Sequence, residues 1–248
     1  MEESKFKFPT EIIELPSKGL VYPEDNPLSS GEIEMKYMTA KEEDILSNQS
    51  YIQKGVVLDK LLQSLIVSKI NYQDLIVGDK NAIMIAARVL GYGKDYEFEY
   101  KGERVTVDLS QLDNKPFDET SISQGQNEFS YTLPNSGTII TYKLLTHKDE
   151  MAIEAELRGL KKLNKNASPD VSTRLKYMIL SVNGDSDRKV VREFVDIYFL
   201  AQDARSFRKH VANHQPDVEL TTQVDLITGV EDIDIPITVN FFWPDASI

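Results

Sequence analysis

The chain has 248 residues, a hydrophobic fraction of 41% and a formal net charge of −12, from 28 Lys and Arg against 40 Asp and Glu. That length suits one large domain or two ordinary ones with a real core, and the charge repels phosphate backbones. There is no cysteine, which excludes disulfides, thiolate catalysis, iron–sulfur clusters and cysteine zinc sites and points to an intracellular chain.

No apolar run approaches the roughly eighteen residues of a membrane span. The opening Met1-Glu2-Glu3-Ser4-Lys5-Phe6 is acidic and lacks the apolar stretch of a signal peptide. Residues 1–29 read as an extended arm. Phe6 and Phe8 alternate with Lys5 and Lys7, and Pro16, Pro23 and Pro27 forbid a continuous helix. Within the arm, Leu15 to Pro23 is a turn-bounded apolar peptide.

Ile33, Met35 and Tyr37 then share a strand face, and Thr39 starts a short helix through Leu46. Leu58, Leu61, Leu62, Leu65 and Ile66 recur at helical spacing. Asp79 is placed to cap the next helix, which carries Ile83, Ala86, Ala87 and Leu90 and ends at Gly91 and Gly93. A hairpin follows, with Tyr96, Phe98 and Tyr100 opposite Val105, Val107 and Leu109, turning at Lys101-Gly102. Residues 110–127 are polar and read as a linker.

The second half repeats the plan. Phe129–Leu133 and Ile139–Leu145 are strands around a turn at Pro134–Gly137. Helices are expected near 147–163, 170–182, 187–200 and 203–213. Val171, Leu175, Met178, Ile179 and Val182 form one stripe, and Val190, Val191, Phe194, Ile197 and Tyr198 another. Strands at 217–226 and 233–242 close the chain.

The duplication is also visible residue by residue. Ser30-Gly31-Glu32-Ile33, Lys36 and Thr39–Glu43 match Ser136-Gly137-Thr138-Ile139, Lys143 and Thr146–Glu150 after a one-residue slip. The fold class is α+β, in two related lobes of strand, helices and β-ribbon. The parts are an arm (1–29), a first lobe (30–109), a linker (110–127) and a second lobe (128–248).

No phosphate loop or Gly-x-Ser-x-Gly elbow occurs. His210 and His214 are four apart but lack a third ligand, and His147 lacks a triad partner, so no metal and no cofactor is expected. Asn48-Gln49-Ser50 and Asn166-Ala167-Ser168 fit the glycosylation pattern, which is common by chance. Arg205, Arg208, Lys209 and His210 read as one polar helix face rather than a nucleic-acid site. Glu42, Glu43, Asp149 and Glu150 are the densest carboxylates. Helix starts account for them, with a carboxylate enzyme as the competing reading. At the end, Phe241-Phe242-Trp243-Pro244 places Phe241 and Trp243 on one side of a strand and Phe242 on the other. It reads as a core-closing strand or as an aromatic anchor for a partner.

These residues resemble a family. Leu15-Pro16-Ser17-Lys18-Gly19, Tyr22-Pro23, Met38–Leu46, Gly78-Asp79-Lys80, Arg88, Gly91-Tyr92-Gly93 and the closing Phe-Phe-Trp-Pro look like the baseplate hub proteins of T4-like tailed bacteriophages. The resemblance implies a non-enzymatic factor that assembles the central hub of a contractile tail by binding other hub proteins. It would act in the host cytoplasm during assembly. A permanent hub subunit, located in the virion baseplate, and a tail-protein chaperone are the alternatives. Relatives carry a Cys-x-x-Cys knuckle where this chain has Tyr100–Glu103 and Leu226–Gly229, so its ribbons rest on cross-strand packing. The partner-binding candidates are Leu15, Leu20, Val21 and Tyr22 in the arm, with Phe242 and Trp243 at the end.

Overall fold

A computed structural model of the chain describes residues 9–163, 169–227, 229–237 and 241–243. Phe6, Phe8, the Asn166–Ser168 triplet, Val239 and Pro244 lie outside the described residues.

The first half opens on an antiparallel pair, β1 (Thr10–Glu14) and β2 (Glu32–Lys36), with Ile13 opposite Ile33. The intervening loop turns at Lys18 and Gly19, both with positive φ, and at a 3-10 turn over Pro27–Ser30 that Asn26 caps. Three short helices follow: α1 (Ala40–Leu46), α2 (Gln49–Gln53) and α3 (Val57–Leu65). Leu61, Leu62 and Leu65 bury the apolar face of α3, as their spacing predicts. Just beyond α3, Ile66 bridges Met35 and the Val67 N–H donates to Glu34 O (2.8 Å), so the chain returns to the edge of β2.

The long helix α4 (Val77–Tyr92) then leads into the hairpin β3 (Asp95–Tyr100) and β4 (Glu103–Asp108). Lys101 and Gly102 both take positive φ, the backbone a two-residue hairpin turn requires. Gly91 does not end α4 as expected. It lies inside the helix, where the Met38 side chain occupies the space a Cβ would need. Only Gly93 stops the helix, with Arg88 donating to Gly93 O (2.7 Å) and Asp95 O (3.1 Å).

The second half contains a three-stranded sheet ordered β5 (Phe129–Thr132), β6 (Ile139–Tyr142), β7 (Ile179–Val182). Between β6 and β7 run α5 (His147–Leu163) and α6 (Asp170–Met178). After them come α7 (Arg188–Glu193), a π-helical turn at Phe194–Tyr198, and α8 (Ala201–His214). The last hairpin is β8 (Thr221–Leu226) and β9 (Gly229–Asp234). The architecture is α+β, made of small antiparallel sheets and helices.

Four expectations need correction. The helix over 170–182 stops at Met178, because Ile179–Val182 pairs with the open edge of β6. Apolar residues at 175, 178, 179 and 182 keep a helical spacing, and backbone pairing with β6 overrides it from Ile179 on. The helix over 187–200 unwinds into the π-helical turn, which leaves Ile197 and Tyr198 exposed. The final strand begins at Gly229 and ends at Asp234 rather than spanning 233–242, since the hairpin turns directly after Leu226. Phe241 and Phe242 are both buried, edge to face at 5.1 Å, with Phe241 also against Tyr96 at 5.0 Å. They therefore do not alternate across a strand.

The segment 110–127 is packed down rather than strung between lobes. Asn114 bridges Val218, Ile122 is buried, and the Gly125 N–H donates to Leu20 O (2.8 Å). One continuous apolar cluster, from Leu15 to Phe242, draws on both halves. The two hairpins also touch, through Lys101 to Glu231 (2.6 Å), and Tyr96 Oη donates to Pro236 O just beyond β9 (2.8 Å).

Candidate functional site

The carboxylates nominated as acid–base candidates are committed to helix starts. Glu42 is fully buried and accepts from Thr39 N (3.0 Å), Thr39 Oγ1 (2.6 Å), Ser64 Oγ (2.6 Å) and Lys36 Nζ (2.9 Å). Burial opposes its ionisation, but these donors outweigh it and bring its pKa down to about 2. Asp149 repeats the pattern, with Thr146 N (3.0 Å), Thr146 Oγ1 (3.0 Å) and Lys143 Nζ (2.8 Å). Glu150 holds Arg174 in a two-pronged ion pair. Glu43 is exposed.

Glu42→Gln is therefore expected to cost roughly 3 kcal/mol at pH 7, by replacing a buried charged acceptor of four hydrogen bonds with a neutral amide. A depressed carboxyl contributes stability above its unfolded value, ordinarily 4.5, and loses it as pH falls through about 2. The gap between the urea midpoints of wild type and variant should thus narrow between pH 7 and pH 3.

A second pair of buried carboxylates sits at the third residue of a helix. Asp79 in α4 accepts from Ser17 N (2.9 Å), Ser17 Oγ (2.7 Å) and Tyr22 Oη (2.6 Å). It is not the cap expected from the sequence, because α4 already begins at Val77. Asp203 in α8 accepts from Asn135 N (2.8 Å), Asn135 Nδ2 (2.8 Å) and Ser136 N (3.0 Å). Burial opposes its charge as well, and the Asn135 and Ser136 donors overcome it, so its pKa is lowered. Each carboxylate ties the loop between the first two strands of its half to the last helix of that half.

This tie corrects the arm expectation. Leu15, Val21 and Tyr22 are buried in the chain's own core, and so is Phe242; Leu20 and Trp243 are half-buried. The four buried side chains have no surface to offer a partner, whereas Leu20 and Trp243 keep part of theirs.

The two halves meet along a short antiparallel bridge. The Val77 N–H donates to Leu145 O (3.0 Å), and the His147 N–H donates to Leu75 O (2.7 Å), with Ile76 opposite Thr146. A polar cluster lies beside it. Lys80 Nζ donates to Asp59 Oδ1 (2.6 Å) and lies 3.3 Å from His147 Nδ1, while Tyr72 Oη donates to Asp59 Oδ1 (3.0 Å). Burial and the Lys80 charge hold the His147 imidazole below its ordinary pKa, against the pull of Asp59. No spacing in the sequence joins Asp59, Tyr72, Lys80 and His147, since the fold brings them from four separate elements. A cavity of about 340 Å³ adjoins the bridge, lined by Ile76, Leu144, Leu145, Val171, Leu175 and Met178, with Arg174 and Arg208 among its polar lining.

His210 and His214 are engaged locally. His210 Nε2 lies 3.0 Å from Tyr142 Oη, and His214 Nδ1 lies 2.7 Å from the His210 carbonyl. Among the described residues no group of three His, Asp or Glu side chains is placed to hold a metal ion. Arg205, Arg208 and Lys209 are exposed on α8.

Ile197 (68%), Tyr198 (60%) and Leu200 (51%) form an exposed apolar run at the end of the π-helical turn and just before α8. The sequence carries a signal for it. Val190, Val191, Phe194, Val195, Ile197, Tyr198, Phe199 and Leu200 are too many apolar residues for one helix face, so some must face outward.

No model of a known protein family matches the chain, and neither a curated protein nor a solved structure matches it. The cluster at 197–200 and the seam between the halves are the features from which a function can be argued. Among the described residues, no helix is long and apolar enough to cross a membrane.

Proposed function

We propose that this chain is a non-enzymatic assembly factor for the central hub of a contractile phage tail baseplate, working in the host cytoplasm by binding other hub proteins. The observation that carries the binding part is the exposed cluster Ile197, Tyr198 and Leu200. Clustered aromatic and aliphatic side chains at that exposure mark protein-docking surfaces. The hub assignment is supported by the resemblance of Leu15–Gly19, Met38–Leu46 and the Phe-Phe-Trp-Pro end to T4-like baseplate hub proteins. The engagement of Glu42, Asp149, Asp79 and Asp203 in helix-start and loop bonds favours binding over acid–base chemistry.

Quantitative mass spectrometry of finished baseplates, with and without this chain in the infected cell, tests the reading. An assembly factor is required for baseplates to form yet is missing from them. A fixed ratio to hub subunits would instead make it a permanent structural component. Baseplates that form normally without it would overturn both. Leu200→Asp is expected to abolish assembly while leaving unfolding stability within about 0.5 kcal/mol of wild type, since it alters a surface position.

A further inference from the structure

The exposed Leu200 has a buried counterpart in the same chain. Leu200 precedes α8 by one residue and Asp203 by three, as Ile76 precedes α4 and Asp79. Both aspartates are buried and receive a backbone N–H from the loop between the first two strands of their half. Further along, Ile83 and Ala87 in α4 are buried at the spacing of Phe207 and Val211 in α8. Yet Ile76 is 1% exposed and Leu200 is 51%. The difference is the bridge: Leu75–Val77 is covered by Leu145–His147, ahead of α5, and nothing in the chain covers Phe199–Ala201 in that way among the described residues.

The other side of the bridge has a counterpart too. Lys143, Thr146 and Asp149 at the start of α5 match Lys36, Thr39 and Glu42 at the start of α1, bond for bond. In this pairing Ala40 stands where His147 does, and Ala40 is exposed while His147 is buried. Met38 O, Ala40 N–H and Phe199 O have no backbone partner among the described residues. The chain thus holds one completed seam at its middle and one unmatched half-seam in each half.

We infer that a second copy of this chain completes the seam; this rests on the docking reading above, but makes the occupant of the 197–200 patch this chain itself rather than another hub protein. Phe199–Ala201 of one copy pairs with Met38–Ala40 of the next, as Leu75–Val77 pairs with Leu145–His147. The Ala201 N–H donates to Met38 O of the next copy, and the Ala40 N–H of that copy donates to Phe199 O. Leu200 is buried there as Ile76 is here. Charge agrees, since exposed Glu43 and Asp44 follow Ala40 and exposed Arg205 lies one turn after Ala201. The two surfaces differ, so the contact is heterologous and copies add head to tail.

Sedimentation velocity of the full chain, up to roughly 100 μM, tests this. The wild type is expected to grow past a dimer as concentration rises. Leu200→Asp blocks one end. Ala40→Pro removes the donor at the other, in a position proline tolerates: it is the first residue of α1, and Thr39 before it is extended (φ −126°, ψ 175°). Loss of that hydrogen bond should weaken association about tenfold. At a concentration where each variant alone is monomeric, an equal mixture should form dimers and stop there, because only one intact pair of surfaces remains. Thermal melts matching wild type show that both variants are folded. A wild type that stays monomeric, or a mixture that stays monomeric, overturns the inference. If the chain is monomeric but Leu200→Asp still abolishes baseplate assembly, the patch docks another protein and only the self-pairing is wrong. If Leu200→Asp supports assembly normally, the docking reading itself falls.

Discussion

Asp79→Ala is expected to lower stability by about 4 kcal/mol, seen as a fall in urea midpoint at unchanged slope. The carboxylate is fully buried, and its burial raises its pKa in spite of the Ser17 and Tyr22 donors. Removing it strands Ser17 N–H, Ser17 Oγ–H and Tyr22 Oη–H in the core, and each orphaned donor costs about 1–3 kcal/mol. Tyr22 Oη also accepts from Ile76 N–H (3.0 Å), so the loss reaches the residue that pairs with the second half. Asp79→Asn retains acceptor capacity at one oxygen and should cost about half as much. The same variants should speed proteolysis after exposed Lys18, because Ser17 holds that turn shut. A cost below about 1 kcal/mol for Asp79→Ala would mean that Leu15–Tyr22 is held by apolar burial alone.

Gly78→Ala is expected to destabilise by about 3 kcal/mol, against its local propensity. In a helix interior alanine is favoured over glycine by about 1 kcal/mol. At Gly78, however, an added Cβ would lie 1.8 Å from Pro216 O and 2.9 Å from its carbonyl carbon. Both are backbone atoms, so the contact between α4 and the segment after α8 must open. Gly159 in α5 is the control. A Cβ there meets nothing within 4 Å, and Gly159→Ala should stabilise by up to about 1 kcal/mol. Thermal or urea unfolding of the pair reads the sign directly. Equal and positive effects from both would show that the two halves do not approach at Gly78.

Features set within a few residues were legible in the sequence. Thr39 with Glu42 and Thr146 with Asp149 start helices because a carboxylate three residues on reaches back to the chain's own N–H groups. Lys101-Gly102 makes the hairpin turn because two consecutive positive φ values join two strands there. Leu61, Leu62 and Leu65 show their face by spacing alone. The matched stretches near 30–43 and 136–150 were visible too, though with the slip one step late. Ile33 corresponds to buried Ile140, whereas Ile139 is exposed.

The α+β mixture, the starts of α1 and α5 and the β3–β4 hairpin are all readable from local pattern. Contacts between distant segments place Leu15, Val21, Tyr22 and Phe242 in the core, make Ile179–Val182 a strand, and leave Ile197, Tyr198 and Leu200 facing outward. The reason is range. A cap or a tight turn is closed by groups within about four residues, so its energy is written locally. The fate of the arm depends on Asp79, sixty-two residues from Ser17, and that of Ile76 on Thr146, and such distant pairings leave no period or spacing in either segment.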